Sequence, residues 1–536
     1  MLPHMLSPRE LVLFLGLFAI GTVSFLGILG EISKLFSSPV PAYGGMLKEG
    51  IIGNPKFANP ILAQTDADRD IVALTFVGLM RHDKNGELAN ALAEKVDISD
   101  DGLTYKVTLR NAAWPDGTQI TSNDVAFTMR MAKNPQIQSP RRANWEGVEV
   151  EKTDEQTVQF RLKKPYAQFA ENLTMGILPE HLWKNIPLSQ FSIADMNINP
   201  VGAGPYLVER VEKTSQGFVT TMTLKANKNF ALGRPNIKKI KLYFYQNTDE
   251  VLKALKARII DATGFLSANN VKSSNKRGLS VNVIRLRRII AIFFNQNSNK
   301  ILSSAKIRAA LDASLDKQSI VNDVLGGYGS VIAGPIPDSN QKPEPPDYNF
   351  AKNTISKSKD NVEFIITTAN TTPSLTATAE KLKAMWEAVG AKIDIKTFGR
   401  DDLEQAVIGP RQYDAFLIGI ETIGKNPDLF AFWHSSQRTH PGLNIALYAN
   451  SKVDSLLEKA RTERDGAKQQ EIYSSIENEI QKDIPAIFLY SPSYLYVAAN
   501  KLKGIAVNTI NTASERFETV NEWYLEEDYV WKIFHK

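Results

Sequence analysis

The sequence contains no cysteine. This absence excludes disulfides, thiolate zinc sites, a cysteine nucleophile and a lipid attached through cysteine. The sequence also lacks a long basic run, because its 63 Lys and Arg residues are interspersed with 58 Asp and Glu residues and leave a net charge of only +5. Proteins that bind the phosphate backbone of a nucleic acid carry a concentrated basic patch. We therefore predict no nucleic-acid partner.

Complete catalytic motifs are absent as well. The segment GIETIGKN has the glycines and lysine of a phosphate loop, but Asn426 replaces the Ser or Thr that would hold magnesium, and Pro427 follows where a helix should start. The segment GYGSV does not match a nucleophile elbow, because Ser330 comes one position late. There is no H-E-x-x-H motif, and no carboxylate pair has a spacing that fixes it as acid and base. We therefore predict that the protein is not an enzyme and uses no cofactor.

Metal binding has one weak indication. His434 and His440 are close in sequence and could form part of a nickel or copper site, whereas the other histidines are scattered. A single structural or ligand-facing histidine is the commoner case, so we predict no resident metal.

A long uncharged segment lies near the amino terminus. Leu11–Gly30 is long enough as a helix to span the roughly 30 Å hydrocarbon core of a bilayer. A cleaved signal peptide is the alternative, but only Ala42 offers a cleavage site, and it matches poorly. We predict that residues 1–42 form a transmembrane anchor and spacer, with Arg9 inside and everything after Phe36 outside the cytoplasm.

The rest of the chain is long enough for two or three compact units. Residues 97–162 show alternating apolar positions and turn signals, with Thr121 or Ser122 as the N-cap of one intervening helix, and this predicts a mixed sheet-and-helix unit. Residues 376–398 and 469–490 instead alternate helix and strand patterns, which predicts an α/β lobe. Ligands of such lobes bind at the carboxyl ends of the strands.

An ordered set of segments carries a family resemblance. They read YGGMLKEGIIGNPKFANP, WEGVEVEKTDEQTVQFRLKKPY, NPVGAGPY, FFNQN and NPDLFAFWHSSQ, and they extend from Tyr43 to Tyr524. Together they resemble the family 5 extracellular solute-binding proteins, which are the dipeptide-, oligopeptide- and nickel-binding components of ATP-driven importers.

The resemblance implies a two-lobe, periplasmic-binding-protein-like α/β fold of type II, preceded here by one transmembrane helix. Lobe one is expected at 43–285 with an inserted α+β subdomain at about 76–189. Lobe two is expected at 286–499, and 500–536 is expected to return to lobe one. Such lobes are joined by crossover strands and close around a ligand by hinge motion.

The resemblance also places Leu417–Ser436 along the cleft. Peptide-binding members carry there an aspartate that pairs with the ligand's α-amino group, but that position falls at about Ile423 in this sequence. Glu421 and Asp428 are the nearest acids, and we favour Glu421 because Asp428 has an alternative role as a helix N-cap. A buried ammonium needs an acceptor, so one of the two is expected to pair with it.

Further side chains complete the predicted ligand site. Phe432 or Trp433 would stack on ligand side chains, although aromatic residues at this spacing often belong to a core. His434 and Ser435 would supply hydrogen bonds, with ordinary loop contacts as the alternative. Asn295 or Asn297 would contact a peptide main chain at the hinge, unless they only form a turn. The predicted ligand-binding residues are Glu421, Thr422, Asp428, Phe432, Trp433, His434, Ser435, Asn295, Asn297 and Asn370.

The function implied is that of a monomeric, single-pass, membrane-anchored extracytoplasmic protein. It would capture dipeptides or oligopeptides and deliver them to an ABC permease, whose ATPase subunits hydrolyse ATP. A nickel or metal-chelate carrier that uses His434 is one alternative. A ligand-sensing receptor or scaffold is the other, and only about ten residues precede the anchor to carry a signal inside.

Overall fold

The computed structural model describes residues 7–264, 266–274, 278–339, 341–370, 372–425 and 427–531. Its first element is the helix Pro8–Phe36, which contains the predicted span Leu11–Gly30. The stretch Arg9–Ile28 has a mean hydropathy of 2.4, and none of it is buried against the rest of the chain. A helix of this length and composition can cross a membrane, either as an anchor or as a signal sequence.

The predicted spacer is an ordered strand. Ser37–Ala42 pairs antiparallel with Glu526–Trp531 near the carboxyl end of the chain, and the register joins Ser37 to Trp531 and Ala42 to Glu526. Both prolines of the spacer are compatible with an edge strand, where no ladder hydrogen bond needs their missing N–H. The body of the protein therefore includes residues 37–42.

Among the described residues, thirteen strands form the central sheet. The part that we call lobe one contains Gly44–Ile52, Tyr206–Lys213, Val219–Ala226, Ile237–Tyr245, Ala262–Thr263 and Thr509–Ile510. The part that we call lobe two contains Gly329–Val331, Glu363–Ala369, Lys392–Phe398 and Ala415–Glu421. The remaining strands, Leu279–Leu286, Arg288–Phe294 and Ala486–Ala499, connect the two parts.

Two antiparallel segments cross between the lobes. Leu279–Leu286 continues through Arg287 into Arg288–Phe294, and the long strand Ala486–Ala499 pairs with both of these strands. Each lobe can rotate relative to the other only by bending these segments, so they define the hinge. The predicted lobe limits at residues 285 and 499 lie on these crossing strands and stay a prediction.

A second unit, which we call the insertion, lies between the first strands of lobe one. Its four-stranded antiparallel sheet contains Ala93–Ile98, Thr104–Leu109, Thr157–Leu162 and Val148–Lys152 in that spatial order. The predicted inward alternation is confirmed, because Tyr105, Val107 and Phe160 are buried. The predicted helix is also confirmed as Ser122–Lys133, with Thr121 as its N-cap in a capping box with Asp124. A short hairpin, Met80–His82 and Leu88–Asn90, extends from the insertion.

Helices cover both faces of the lobe-two sheet. Leu382, Trp386 and Val389 are buried in the lobe-two core, as their helical spacing predicts, and Ile476 and Ile480 lie on the buried face of the last long helix. The helices that follow the amino-terminal one are Asp66–Thr75, Ser122–Lys133, Glu180–Trp183, Thr248–Lys256, Ala268–Ser274, Ala305–Ala313, Lys317–Leu325, Tyr348–Ser356, Pro373–Ala388, Arg400–Leu403, Phe430–Trp433, Ser451–Thr462 and Gly466–Asp483.

Candidate functional site

The carboxyl ends of three parallel strands meet at one edge of lobe two. Glu363–Ala369 lies between Lys392–Phe398 and Ala415–Glu421, so the residues that follow these strands share the edge. Asn370 is exposed there and donates its backbone N–H to the carbonyl oxygen of Phe398 at 3.0 Å. Because ligands of α/β sheets bind at this edge, Glu421 and Asn370 stand where the fold predicts a site.

Glu421 already has a cationic partner. Its carboxylate pairs with the guanidinium of Arg288, the residue directly opposite it in the antiparallel register. The side chains of Glu421 and Arg288 remain 41% and 28% exposed, so the pair lies at the rim of the lobe. An exposed pair of this kind is weak and can exchange partners with a charged ligand.

A second arginine, Arg141 of the insertion, interacts with Glu421, and Arg69 of lobe one interacts with Arg141. Burial lowers the pKa of Arg141 in the insertion, the charge of Arg69 lowers it further, and the charge of Glu421 raises it. Arg141 is therefore within electrostatic range of Arg69 in lobe one and of Glu421 in lobe two. We call Arg69, Arg141 and Arg288 the arginine cluster.

The arginine cluster has unused hydrogen-bond donors. The Arg69 Nε is buried without an acceptor, and its Nη1 lies 3.7 Å from Asp66. Within the described ranges the Arg141 guanidinium has no hydrogen bond or ion pair. Guanidinium groups bind carboxylates through two parallel hydrogen bonds, so the cluster is suited to an anionic group of a ligand. Sequence reasoning missed Arg69 and Arg141, because an arginine in a helix or loop gives no sign that it faces a seam between units.

The loop after Glu421 is fixed to the hinge. The backbone N–H and the hydroxyl of Thr422 both donate to the carbonyl oxygen of Arg287 at 3.0 Å. Gly424, which has a φ of +76°, donates its N–H to Asn511 Oδ1 at 3.0 Å. A Cβ at Gly424 would lie 2.5 Å from Glu171 Oε1, so the approach to the insertion requires glycine. The Thr422 hydroxyl thus holds the hinge.

Asp428 serves as a brace between units. Arg461 donates to both carboxylate oxygens of Asp428, with each Nε contact at 3.1 Å, and Asp428 also accepts the backbone N–H of Phe430. The same Arg461 lies over the rings of Phe430 and Tyr166, at 3.9 and 5.4 Å from the ring centroids. The Asp428 carboxylate is therefore committed to Arg461 and to the backbone N–H of Phe430. Asp428 is not the N-cap of the helix Phe430–Trp433, as its alternative interpretation expected, because Leu429 occupies that position.

The two predicted aromatic residues lie in different surroundings. Trp433 is only 2% exposed and packs against Phe293 and Phe488, with ring centroids 5.9 and 5.8 Å away. This corrects the expectation that it could stack on a ligand, because its ring is in the lobe-two core. Phe432 is half-buried and lines, with Trp433 and Thr422, a pocket of about 10 Å³. That volume holds about one water molecule.

His434 and Ser435 face the helix Ser451–Thr462. The Ser435 hydroxyl donates to Asp454 Oδ2 at 2.6 Å, and its N–H donates to Asp454 Oδ1 at 2.8 Å. The His434 ring stacks on Phe430 at 4.0 Å, and its Nε2 lies 3.6 Å from Glu458 Oε1. In the part of the chain that the structure describes, no group of three His, Asp or Glu side chains is arranged to hold a metal ion.

Asn295 and Asn297 are distant from the hinge. They follow Phe294, which pairs with Ala415, whereas Arg288 at the hinge end of the same strand pairs with Glu421. Asn295 is buried and its Oδ1 accepts the backbone N–H of Asn297 at 3.0 Å. The predicted placement at the hinge is corrected, and the alternative of a turn-forming asparagine describes Asn295.

A cavity of about 360 Å³ lies on the other side of the loop. The insertion contributes Tyr105, Gln168 and Glu171 to its lining, and lobe two contributes Lys425 and Arg464. Its volume is within the range of small-ligand pockets. The loop that begins at Glu421 therefore lies between two features. The arginine cluster is near Glu421, and the polar cavity is lined by Lys425 four residues later.

Beneath this loop, a buried histidine joins the insertion to the carboxyl-terminal segment. His82 Nε2 lies 2.9 Å from Glu171 Oε2, and its Nδ1 lies 3.7 Å from Glu515 Oε1. Burial disfavours the charged imidazole, but the hydrogen bond to Glu171 and the charges of Glu515, Glu171 and Glu518 outweigh it and raise the pKa of His82 to about 9. His82 is therefore protonated at neutral pH.

We expect His82→Gln to lower the free energy of unfolding most below pH 7. A histidine whose folded-state pKa is raised stabilises the fold fully below its unfolded value near 6.5 and loses this effect as the pH rises through about 9. The contribution is at most about 3 kcal/mol, from the difference between the two pKa values. Urea denaturation of the wild type and variant at pH 6 and pH 10 measures it.

His181→Gln is the matched control, because His181 pairs with one carboxylate, Asp116, at the surface of the insertion. Its effect is expected to be small at both pH values. An equal loss of stability in His82→Gln at pH 6 and pH 10 would contradict the charged state assigned to His82.

Two α/β lobes joined by crossing strands, with one guanidinium, that of Arg141, unpaired among the described residues near the strand ends of lobe two, define a two-lobe ligand-binding protein. The chain belongs to the bacterial extracellular solute-binding proteins, family 5, whose middle-region profile matches residues 87–440. The predicted family and the predicted periplasmic-binding-protein-like fold are thereby confirmed. This is a family of binding proteins that act outside the cytoplasm.

Individual relatives cover most of the chain. The oligopeptide-binding protein AppA of Bacillus subtilis is 26% identical over an alignment of 504 positions, which covers 87% of this chain and 90% of that protein. A crystal structure of NikZ from Campylobacter jejuni in complex with Ni(L-His) is 27% identical, covers 89% of this chain and 99% of its own, and has a TM-score of 0.72. The substrate-binding protein CtaP from Listeria monocytogenes has the same fold with a TM-score of 0.79.

Proposed function

We propose that the protein captures short peptides between its lobes outside the cytoplasm and delivers them to the permease of an ABC importer. It acts as a membrane-anchored monomer, and partner subunits hydrolyse the ATP. Family membership supports the transport role, and the similarity to an oligopeptide-binding protein supports the class of ligand. The protein itself catalyses no reaction.

The arginine cluster with Glu421 is the observation that carries the proposal. Arg69 and Arg141 offer donors without acceptors, and the nearby Glu421 offers a carboxylate that is tied only to Arg288 at the rim. A peptide with free ends has one carboxylate and one ammonium group. The peptide carboxylate binds Arg69 and Arg141. The peptide ammonium replaces Arg288 as the ion-pair partner of Glu421.

Charge also explains why a ligand favours the closed form. Closing the lobes removes the arginine cluster from water, and an unpaired guanidinium in such a place is unfavourable. A bound carboxylate compensates for this cost. Ligand binding at Glu421 is coupled to the hinge. The next residue, Thr422, donates its hydroxyl to the backbone carbonyl of Arg287, which lies between the two crossing strands.

Mass spectrometry of the molecules released on denaturation tests the proposal. The full-length protein is purified in detergent from its own cells, denatured and extracted. A distribution of short peptide masses is the expected result and gives the preferred length. A single non-peptide compound would refute the peptide ligand.

A nickel-chelate carrier is the second candidate. NikZ was crystallised with Ni(L-His), and His434 Nε2 is a buried atom without a hydrogen-bond partner among the described residues. The histidine carboxylate of such a chelate would pair with the arginine cluster, and His434 is the histidine of the segment Leu417–Ser436. Metal analysis of the purified protein distinguishes a peptide carrier from a nickel-chelate carrier. Nickel in a stoichiometric amount would support the nickel-chelate carrier.

The amino-terminal helix is proposed to remain attached as a single-pass anchor. Cleavage after Ala42 would remove the strand Ser37–Ala42, which pairs with Glu526–Trp531. Retention of that strand and of the apolar helix before it places the lobes next to their permease and raises the effective concentration. Sequencing of the mature amino terminus tests this, and a start near Tyr43 would refute it.

We expect Glu421→Gln to weaken binding of an alanine tetrapeptide with free ends by about tenfold. The variant keeps the size of the side chain and removes the charge that takes the ligand ammonium, and a hydrogen bond to a charged group contributes about 1.5–3 kcal/mol, less at an exposed rim. Calorimetric titration measures the effect. The N-acetylated tetrapeptide is the control, since it should bind the variant and the wild type equally. Equal weakening for both peptides would remove Glu421 from the role of amine acceptor.

A further inference from the structure

A small cavity lies where lobe one, the insertion and the carboxyl-terminal segment 511–531 meet. Its volume is about 80 Å³. Among the described residues, none between 286 and 499 lines it, so the cavity is separate from the space between the lobes. At roughly 10–15 Å³ for each water-sized volume, it has room for about five to eight non-hydrogen atoms. The cavity can therefore hold one small metabolite but not a tetrapeptide.

The walls of this cavity are largely apolar. Val72 lies on the helix Asp66–Thr75, and Phe76 follows that helix directly. Phe230 and Phe517 also line the cavity, and all three phenylalanines are buried. Such walls favour a ligand that has an aliphatic part to remove from water.

One cation lines the cavity with free hydrogen-bond donors. Arg81 belongs to the hairpin strand Met80–His82, and its Nη1 donates to the backbone carbonyl oxygen of Glu518 at 2.7 Å. The Arg81 Nε is buried without an acceptor, and within the described ranges its Nη2 has no hydrogen bond or ion pair either. The edge of a guanidinium formed by Nε and Nη2 binds a carboxylate through two parallel hydrogen bonds.

One acid lines the same cavity without a partner. Glu518 follows the short helical turn Ala513–Phe517, and its carboxyl group has no hydrogen bond or ion pair in the described part of the chain. Burial raises the pKa of Glu518 to about 7, although the positive charges of His82 and Arg81 oppose the shift, and the charge of Glu515 adds to it. A carboxyl group that is shielded from water in this way is stabilised in its ionised form by an ammonium group beside it.

We propose that this cavity is a binding site for a free α-amino acid with a small aliphatic side chain. The ligand carboxylate binds the Nε and Nη2 edge of Arg81, and the ligand ammonium pairs with the carboxylate of Glu518. The side chain packs against the phenylalanines of the wall. The volume fits alanine to valine. This second site goes beyond peptide capture and does not depend on it.

Calorimetric titration of the full-length protein in detergent, after extensive dialysis, tests the site. L-valine is expected to bind. Isovalerate lacks the ammonium group of valine and isobutylamine lacks its carboxylate, so each is expected to bind about tenfold more weakly or worse. The absence of saturable binding of valine and alanine up to millimolar concentration overturns the proposal, as does equal binding of valine and isovalerate.

Glu518→Gln is expected to weaken valine binding by about tenfold or more and to leave binding of the alanine tetrapeptide unchanged. Glu522→Gln is the matched control, because Glu522 belongs to the same segment, is exposed and does not line the cavity. Equal losses in these two variants overturn the role of Glu518. A loss of valine affinity in Arg141→Gln but not in Glu518→Gln would place valine in the peptide site and overturn the second site.

The pH dependence supplies a readout that a change in packing would not produce. Pairing with an ammonium group favours the ionised carboxyl group of Glu518, so valine binding should release protons and strengthen as the pH rises from 6 to 8. His82 stays protonated over this range because its pKa is about 9. Glu518→Gln should make the profile flat, and a flat profile in the wild type refutes the ammonium contact. Titration with the tetrapeptide reads peptide capture separately, so that each site can fail alone.

Discussion

Arg516→Ala is expected to destabilise lobe one by about 3–5 kcal/mol, because it removes one member of a buried charge network. The guanidinium of Arg516 donates to both oxygens of Asp70 at 2.7 Å and to Glu49 Oε1 at 3.1 Å. Tyr496 donates its hydroxyl to the other oxygen of Glu49 at 2.7 Å. Without the arginine, two buried carboxyl groups are left beside each other and without a cation.

The loss should depend on pH. Burial raises the pKa of Glu49 to about 7 and raises that of Asp70, while Arg516 opposes both shifts. Removing Arg516 therefore lets both carboxyl groups take up protons at a higher pH. Groups whose folded-state pKa is raised are favoured by acid, so the defect should be larger at pH 8 than at pH 5.

Urea denaturation at the two pH values measures the effect, and hydrogen exchange of the helix Asp66–Thr75 locates it. Lys239→Ala is the matched control, because Lys239 pairs with Glu209 at the surface of lobe one and should contribute little. A loss in Arg516→Ala no larger than in this control would show that the network does not hold lobe one together.

Arg141→Gln is expected to weaken binding of the alanine tetrapeptide by about 30-fold or more. Truncating one partner of a buried charge pair costs about 2–5 kcal/mol, and each 1.4 kcal/mol is a factor of ten. In this case the ligand carboxylate would be left among fewer donors in the seam between insertion and lobe two. Calorimetric titration with the purified protein gives the affinity.

Two controls isolate the charge. Arg142→Gln changes the adjacent arginine, which is exposed, and should leave the affinity unchanged. The tetrapeptide amide has no carboxylate, so it should bind weakly to the wild type and lose little more in Arg141→Gln. A similar loss for the acid and the amide would assign Arg141 a structural role.

Local patterns predicted the elements whose apolar spacing is regular. Val158, Phe160 and Leu162 alternate and belong to one strand of the insertion, and Leu382 and Trp386 mark the buried face of a helix. These predictions depend only on residues that are near in sequence. Glu421 ends the strand Ala415–Glu421, which is where the resemblance places the start of the cleft segment, and the role of this segment in a cleft stays a prediction.

Predictions that need contacts between distant residues were less successful. The sequence around Trp433 is compatible with a place in a cleft or in a core. Its contacts with Phe293 and Phe488, which are distant in sequence, show that it lies in the core. Asn295 follows a hinge strand in sequence, but at the end opposite the hinge. Neither the arginine cluster nor the contact of His82 with Glu515 has a sequence signature, because their members come from separate units of the chain.

The pairing of Ser37–Ala42 with Glu526–Trp531 imposes an order on biogenesis. With the proposed anchor retained, the first strand leaves the translocation machinery directly after the amino-terminal helix, and its partner follows both lobes in the chain. Both lobes have time to fold while this edge stays open, since domains fold as they emerge. Closing the small sheet thus follows the folding of both lobes, and a chain truncated before residue 526 would keep Ser37–Ala42 as an unpaired strand.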